Sequence, residues 1–222
     1  MYDEFAKKLS SEYTLFLFAL NGRYQQMRSP GIEVTPRAVR DLKTDVYDLG
    51  KTFYEIANTE VNDYLRPLLI GAPEALAVQL AGRKKALQAL IRKIVVSNIE
   101  QVIHLSRTGV GGFAALLRNA HGAVGLLVQQ QSGAIEFKTT DGAGRSWTAK
   151  KLFQVAVRDF AYQAYIDSQI EALVLAGADL FETTDGRIIS RLGTDGFTSL
   201  AESRSRVFHY NSTQTIAPHV ST

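Results

Sequence analysis

Hydroxyl side chains surround a histidine near the C-terminus of this chain, where they could do nucleophilic or acid–base chemistry. His209 is flanked by Ser203, Ser205, Ser212 and Thr215. A serine nucleophile needs a base, an acid that orients the base and an oxyanion hole. The sequence has no Gly-x-Ser-x-Gly elbow that would present such a nucleophile. We therefore interpret this segment as a polar, hydrogen-bonded terminus in which His209 is a structural residue.

Metal binding and phosphate-loop chemistry have little support in the sequence. No two histidines have the His-x-x-x-His helical spacing of a metal site, and no carboxylate follows Glu202. The chain contains no cysteine, which excludes disulfides, thiolate catalysis and Cys-based zinc sites. The glycine-rich segment Gly109-Val110-Gly111-Gly112 is followed by no Lys-Ser/Thr pair, so it does not match a phosphate loop. We expect no metal and no cofactor.

A basic stretch between residues 83 and 93 is the strongest local excess of positive charge in a chain whose net charge is +3. Lys85, Arg92 and Lys93 return to one helical face because they are seven or eight residues apart. This narrow strip predicts at most weak, non-specific contact with DNA phosphates. The alternative interpretation is a solvated helix face whose Lys and Arg stems cover apolar neighbours.

Long amphipathic helices occupy the first half of the chain. Apolar residues recur at three- and four-residue steps over residues 3–28, from 36 to about 64, and from 73 to about 105. The pair Thr35-Pro36 is a typical helix start, with a capping hydroxyl before a proline at the first helical position. Pro67 is expected to stop or kink the second helix.

The first helix has more apolar surface than one core face requires. Its middle reads Leu15-Phe16-Leu17-Phe18, which makes it apolar nearly all round. We predict that part of this segment is buried by another chain or by the second helix. Phe16 and Phe18 are therefore candidate partner-binding residues.

The second half of the chain predicts mixed structure. Gly177 marks the end of a helix, and Asp185-Gly186 is a hairpin signal. Glycines also punctuate residues 109–133, which we interpret as a linker or a packed loop. The periodicity predicts helices at 148–176 and 198–204, and strands at 134–139, 179–184, 187–191, 207–210 and 215–217.

These elements together predict an α+β fold that is mainly α. Long N-terminal helices would be followed by a small C-terminal α+β unit with a β-hairpin. The corresponding domain prediction is a helical domain at 1–108, the glycine-rich segment at 109–133 and a small α+β domain at 134–222.

Residues 141–220 resemble the C-terminal region of tailed-phage minor capsid proteins, the family named for the F protein of phage Mu. The resemblance depends on the order of several short pieces. These are Gly144-Arg145-Ser146-Trp147, Val157-Arg158, Gly177-Ala178-Asp179-Leu180, Asp185-Gly186-Arg187-Ile188, Gly196-Phe197-Thr198-Ser199-Leu200 and the tail residues His209, Asn211 and Pro218.

The tail departs from the family pattern, in which His-Pro-Asn-Cys-Arg-His is typical. Tyr210 stands where the family has Pro, and Ser212 stands where it has Cys. Thr213 and Gln214 replace the following Arg and His. Any metal or disulfide role of the family's Cys/His cluster therefore does not transfer, and His209, Asn211 and Pro218 are expected to act as a structural tail motif.

The resemblance implies a minor structural protein of a tailed-phage virion that associates with the portal or the major capsid protein and acts in head assembly. It implies several copies in a particle, assembly in the host cytoplasm and no enzymatic activity. The alternatives are a head–tail adaptor or an internal ejection protein, a phage-derived transferase or hydrolase, and a basic DNA-binding helical protein. A convergent polar pocket around His209 would favour the enzyme, and salt-dependent binding would favour the DNA-binding protein.

Composition is consistent with a globular protein. Hydrophobic residues make up 45% of the chain and charged residues 21%, which is ordinary for a packed domain. The N-terminus lacks the basic-then-apolar layout of a signal peptide. No apolar run approaches the roughly 20 residues of a membrane span, so we expect none.

Overall fold

The fold is α+β and mainly α, as the sequence predicts. The computed structural model of the 222-residue chain describes residues 2–28, 34–119, 127–128, 135–141, 144–193, 197–209 and 212–219. The helices of these residues are α1 (Tyr2–Met27), α2 (Pro36–Leu68), α3 (Glu74–Asn119), α4 (Ala149–Leu175) and α5 (Leu200–Arg206). The strands are β1 (Leu127–Val128), β2 (Ile135–Glu136), β3 (Lys138–Thr140), β4 (Ser146–Thr148), β5 (Leu180–Thr183), β6 (Ile188–Ser190), β7 (Thr198–Ser199) and β8 (Ile216–Pro218).

Hydroxyl caps fix the starts of three helices. The Thr35 hydroxyl accepts the amide of Ala38 at 3.1 Å at the start of α2. The Thr148 hydroxyl accepts the amide of Lys151 at 3.2 Å at the start of α4. Ser199 begins α5 with a capping box, in which serine and glutamate side chains each satisfy a backbone amide that the helix leaves unpaired.

The end of α4 is fixed by a glycine with left-handed backbone conformation. Gly177 has a φ of 85°. Its amide donates to Val174 O at 3.0 Å, and the Ala178 amide donates to Leu173 O at 2.9 Å. These two bonds make a Schellman motif, which satisfies the last carbonyls of the helix. The sequence-based prediction of a stop at Gly177 is therefore confirmed.

Several element boundaries differ from the sequence-based prediction. Helix α2 passes through Pro67 and ends one residue later, because a proline so close to the end removes few helical bonds. Helix α3 continues to Asn119, well into the predicted glycine-rich segment, where strong helix formers (Ala114-Ala115-Leu116-Leu117) follow the glycines. No strand covers 207–209, because Val207 is instead the C-cap of α5.

Two compact units make up the fold. The C-terminal unit comprises residues 1–6, 61–86 and 155–222, and the central unit comprises 7–60 and 87–154. The predicted boundaries at 108 and 133 do not coincide with this division, because each of the four long helices contributes residues to both units.

Aromatic rings form the centre of the central unit. Tyr13 of α1 stacks on Phe153 of α4 with ring centroids 4.0 Å apart, and Phe16 stacks on Phe53 of α2 at 5.0 Å. All four rings are buried. The Asn98 side-chain amide donates to the Tyr13 hydroxyl at 2.6 Å, so the buried hydroxyl of Tyr13 has a hydrogen-bond partner.

A four-stranded sheet and one face of α4 enclose the core of the C-terminal unit. The strand order is β7-β6-β5-β8, with β6 and β7 parallel and the other pairs antiparallel. The predicted hairpin at Asp185-Gly186 is confirmed as the β5–β6 connection. The core residues are Tyr162, Ile166, Ile170, Ile189, Val207, Phe208 and Ile216. In the described part of the chain, no helix is long and apolar enough to cross a membrane.

Candidate functional site

A polar cleft lies between the β5–β6 hairpin and the segment that follows α5, and we call it the tail cleft. Its volume is about 230 Å³. Two arginines and a histidine contribute to a lining that is otherwise mostly hydroxyl, amide and carboxylate. The lining residues are Asp185, Arg187, Arg206, Val207, His209, Ser212, Thr213 and Gln214. The cleft thus gathers groups that sequence reasoning had placed in separate short motifs.

The hairpin side of the tail cleft is held by a short chain of polar contacts. The Thr183 hydroxyl donates to Asp185 Oδ1 at 2.5 Å, and Arg187 Nε lies 3.0 Å from Asp185 Oδ2. The hydrogen bond from Thr183, and secondarily the guanidinium of Arg187, hold the pKa of the Asp185 carboxyl below its usual range. Asp185 is therefore a fixed carboxylate and is unsuited to act as a proton donor near neutral pH.

The tail is fastened to the hairpin mainly by residues 214–219. Thr184 and Thr215 exchange hydrogen bonds through their backbones and hydroxyls. The Asp185 amide donates to Gln214 Oε1 at 3.1 Å, and the His219 amide donates to Leu180 O at 3.0 Å. β8 thereby becomes an edge strand of the sheet.

Ser212 lines the tail cleft and is held by hydrogen bonds with Tyr162 and Gln214. The buried Tyr162 hydroxyl lies 3.1 Å from Ser212 Oγ and 2.9 Å from Gln214 O, and Ser212 Oγ accepts the Gln214 amide at 3.1 Å. Burial raises the pKa of Tyr162. Ser212 is itself buried, and these contacts engage its oxygen in holding the loop. The geometry therefore favours a structural role for Ser212 over that of a nucleophile.

The residues of the predicted tail motif have different surroundings. His209 is exposed, lines the tail cleft and accepts the Ser212 amide through its backbone carbonyl at 2.8 Å. Pro218 lies in β8 opposite Phe181. Asn211 lies outside the described residues. His209 and Pro218 therefore lie in different parts of the tail.

A buried carboxylate in the C-terminal unit has the strongest ionic contacts. Asp167 Oδ2 accepts Arg83 Nε at 2.6 Å and Gln79 Nε2 at 2.8 Å, and Asp167 Oδ1 accepts Arg204 Nη1 at 2.5 Å. The Asp167 side chain is 1% exposed, whereas those of Arg83 and Arg204 are 29% and 32% exposed. This network joins α3, α4 and α5 within the unit.

Sequence reasoning missed the role of Asp167. The signal was present, because Asp167 stands directly after Ile166 on the apolar side of α4, where an unpaired carboxylate would be costly. Its partners are 37 and 84 residues away in sequence, so no local pattern reveals them. Burial also raises the pKa of the neighbouring Asp159, and the charge of Arg83 partly opposes this shift.

The two candidate partner-binding residues of α1 differ in exposure. Phe16 is 5% exposed because it packs against Phe53, whereas Phe18 is 77% exposed. Phe18 lines a groove of about 380 Å³ with Leu17, Ile135, Phe137 and the stem of Lys150. Burial of part of the apolar segment by the second helix is thus observed for Phe16, and Phe18 remains available to a partner.

The basic residues of α3 also separate into two kinds. Lys85, Arg92 and Lys93 are exposed, which fits either a solvated face or a weak DNA contact. Arg83, in contrast, is committed to Asp167. Among the described residues, no group of three or more acidic or histidine side chains is arranged to hold a metal ion.

Comparisons with protein-family models, curated proteins and solved structures found no match to this chain.

Proposed function

We propose that this chain is a minor structural protein of a tailed-phage virion that binds the portal or the major capsid protein and acts in head assembly. It would be present in several copies per particle, assembled in the host cytoplasm, and would work by binding and not by turnover. The proposal comes from the resemblance of residues 141–220 to the Mu F-like minor capsid proteins, and one structural observation supports it.

That observation is the role of the matched residues themselves. Gly177 and Ala178 make the helix-ending Schellman motif, Asp185-Gly186 makes the hairpin turn, and Ser199 caps α5. These three pieces of the resemblance therefore have a task in building the C-terminal unit, whereas the piece Gly144–Trp147 belongs to the central unit. A pattern of this kind is expected of a shared scaffold, whereas a catalytic signature would place reactive groups in mutual contact.

The exposed apolar surface at Phe18 is a candidate site for the proposed binding. A single exposed phenylalanine is ordinary, but Phe18 lies beside Leu15, which is also exposed, and borders an apolar groove. Burying such a side chain against a partner contributes roughly 1.5–3 kcal/mol. We assign this surface to contact with the portal or capsid protein.

The direct test is mass spectrometry of virions purified from the phage that encodes this chain. The proposal expects the chain in the particle, in a constant ratio to the portal protein across preparations. A chain that is expressed during infection but absent from finished heads and from their assembly intermediates would overturn the proposal.

The binding surface has its own test. Phe18→Ser should reduce incorporation into particles while leaving the thermal midpoint of the isolated protein nearly unchanged. Leu192→Ser is a matched control, because Leu192 is equally exposed, at 78%, but does not line the groove. Equal incorporation of both variants and of the wild type would exclude Phe18 as a contact. Phe16→Ser is unsuitable for this purpose, since Phe16 is part of the aromatic core.

A further inference from the structure

The tail cleft carries positive side chains that the proposed assembly function does not use. Arg187, which directly precedes β6, and Arg206, in the last turn of α5, both line it. His209 and Thr213 lie on the same rim and are both exposed. Two arginines from different elements line this one small cleft. Such a pair suits the recognition of oxyanions, because each guanidinium presents several N–H donors in a planar fork.

The acidic groups near these arginines are already engaged. Asp185 accepts the Thr183 hydroxyl and pairs with Arg187 through Nε. This pair uses one of the five N–H groups of the Arg187 guanidinium. Glu202 lies one helical turn before Arg206 and interacts with its charge, but the Glu202 carboxylate is held by the Ser199 hydroxyl and amide. Glu202 does not line the cleft.

The orientation of Gln214 adds a neutral donor. Because Gln214 Oε1 accepts the Asp185 amide, the acceptor end of this side chain is turned to the hairpin backbone. The NH₂ end of the same amide group is then the part that remains for a ligand. The cleft therefore presents donors from two guanidiniums, one amide and one hydroxyl, and the oxygens of Asp185, Ser212 and Gln214 are used within the fold.

Size restricts the ligand. A volume of about 230 Å³ is below the roughly 300–1,000 Å³ of pockets that enclose whole organic ligands. A phosphate group fits this space, whereas a complete nucleotide does not. We propose that the tail cleft binds a phosphate group, with Arg187 and Arg206 as the charged ligands and Thr213 and Gln214 as neutral donors.

This site differs from the basic strip at Lys85, Arg92 and Lys93, and it does not depend on the virion assignment. The phosphate can belong to a free phosphate ion or to the backbone of a nucleic acid. Both present the same non-bridging oxygens, and Arg–phosphate contacts are charge-assisted and frequently bidentate. The two sources are distinguished by experiment.

The test uses the full-length protein and two probes at constant ionic strength. Isothermal titration calorimetry with inorganic phosphate measures the affinity for the free ion. Fluorescence anisotropy with a short labelled DNA duplex measures the affinity for the nucleic-acid backbone. We expect millimolar affinity for inorganic phosphate, and Arg206→Gln should weaken it about tenfold or more, since a charge-assisted bond is lost. Arg191→Gln is the matched control, because Arg191 is exposed near the same hairpin but does not line the cleft.

The outcomes separate the two sources. Phosphate affinity that falls in Arg206→Gln, with no duplex binding, identifies a site for the free ion. Duplex binding that is lost in Arg206→Gln and is competed by inorganic phosphate identifies a site for the nucleic-acid backbone. The proposal is overturned if the wild type binds neither probe, or if Arg206→Gln and Arg191→Gln weaken binding equally. Circular dichroism of each variant verifies that the fold is retained.

Discussion

The central unit and the C-terminal unit are stabilised by different kinds of buried contact. The middle of the central unit consists of four aromatic rings, those of Tyr13, Phe16, Phe53 and Phe153. Its buried polar contact, the hydrogen bond from the Asn98 amide to the Tyr13 hydroxyl, joins two neutral groups. The C-terminal unit buries the carboxyl side chain of Asp167, which accepts hydrogen bonds from Arg83 and Arg204. Buried rings stabilise a unit through the apolar volume that they fill, whereas a buried carboxylate requires donors at defined positions. The central unit should therefore lose most stability when ring volume is removed, and the C-terminal unit when the charge of Asp167 is removed.

The largest expected effect comes from emptying the aromatic core. Phe153→Ala should lower the free energy of unfolding by about 3–5 kcal/mol, because Phe153 is fully buried and contacts two other rings. Chemical denaturation monitored by circular dichroism measures this value. The same substitution at the exposed Phe18 is the control, and it should change stability by less than about 0.5 kcal/mol. Similar losses at the two positions would show that the ring cluster is not the core of the unit.

The second largest effect is expected from a change to the ionic network of Asp167 in the C-terminal unit. Asp167→Asn keeps the shape but removes the charge that Arg83 and Arg204 share, and it should cost about 1–3 kcal/mol. The loss stays below that of a fully buried pair because both arginines are about one-third exposed and can be hydrated. Denaturant titration in low and high salt measures it. A variant as stable as the wild type would mean that the network contributes only specificity of packing.

The close approach of α2 and α3 at Gly50 gives a smaller expected loss of stability, which a second substitution should partly reverse. A Cβ added to Gly50 would lie 2.5 Å from Ile99 Cδ1, so Gly50→Ala should cost about 1 kcal/mol despite its better helix propensity. Ile99→Val deletes that methyl group, and the double variant should be more stable than the two single effects predict when added. Gly22→Ala is the control, because nothing lies within 4 Å of its added Cβ, and it should stabilise the protein. If the stability changes of Gly50→Ala and Ile99→Val simply add in the double variant, the close contact between these two residues does not exist.

The smallest effect is a change in pH dependence at the start of α5. The Ser199 hydroxyl and amide hold the pKa of Glu202 below its ordinary value of 4.5. A depressed carboxyl pKa contributes stability above the unfolded pKa, and this contribution is lost as the pH falls through the folded value. Ser199→Ala should therefore lower the thermal midpoint at neutral pH, with a difference from wild type that narrows below about pH 4.5. Glu202→Gln, which cannot titrate, should remove this narrowing.

Much of the fold follows from local sequence patterns. The starts at Thr35 and Thr148, the stop at Gly177 and the hairpin at Asp185-Gly186 are all visible as short motifs, because each depends on neighbours within a few residues. The extension of α3 to Asn119 was missed because glycine lowers helix propensity without preventing helix formation.

The candidate site could not be predicted in the same way. Arg187 and Arg206 line the same cleft only because the chain returns β8 and the turn after α5 to the hairpin, and nothing in their spacing of 19 residues specifies this. Asp167 was hidden for a related reason, since an aspartate in a helix is usually solvated and its partners lie in distant helices. The tail residues His209 and Pro218 were recognised, but the bonds that fasten the tail come from Gln214, Thr215 and His219.

The C-terminal unit is assembled from three segments that lie far apart along the chain. Near the N-terminus, Tyr2 packs edge-on against Tyr162, and Asp3 pairs with Arg158 at 3.2 Å. Far along the chain from these residues, β8 pairs with β5. The unit therefore depends on contacts between segments that are separated by most of the described chain. Closing such long loops costs entropy before the contacts can form, so we expect this unit to fold slowly.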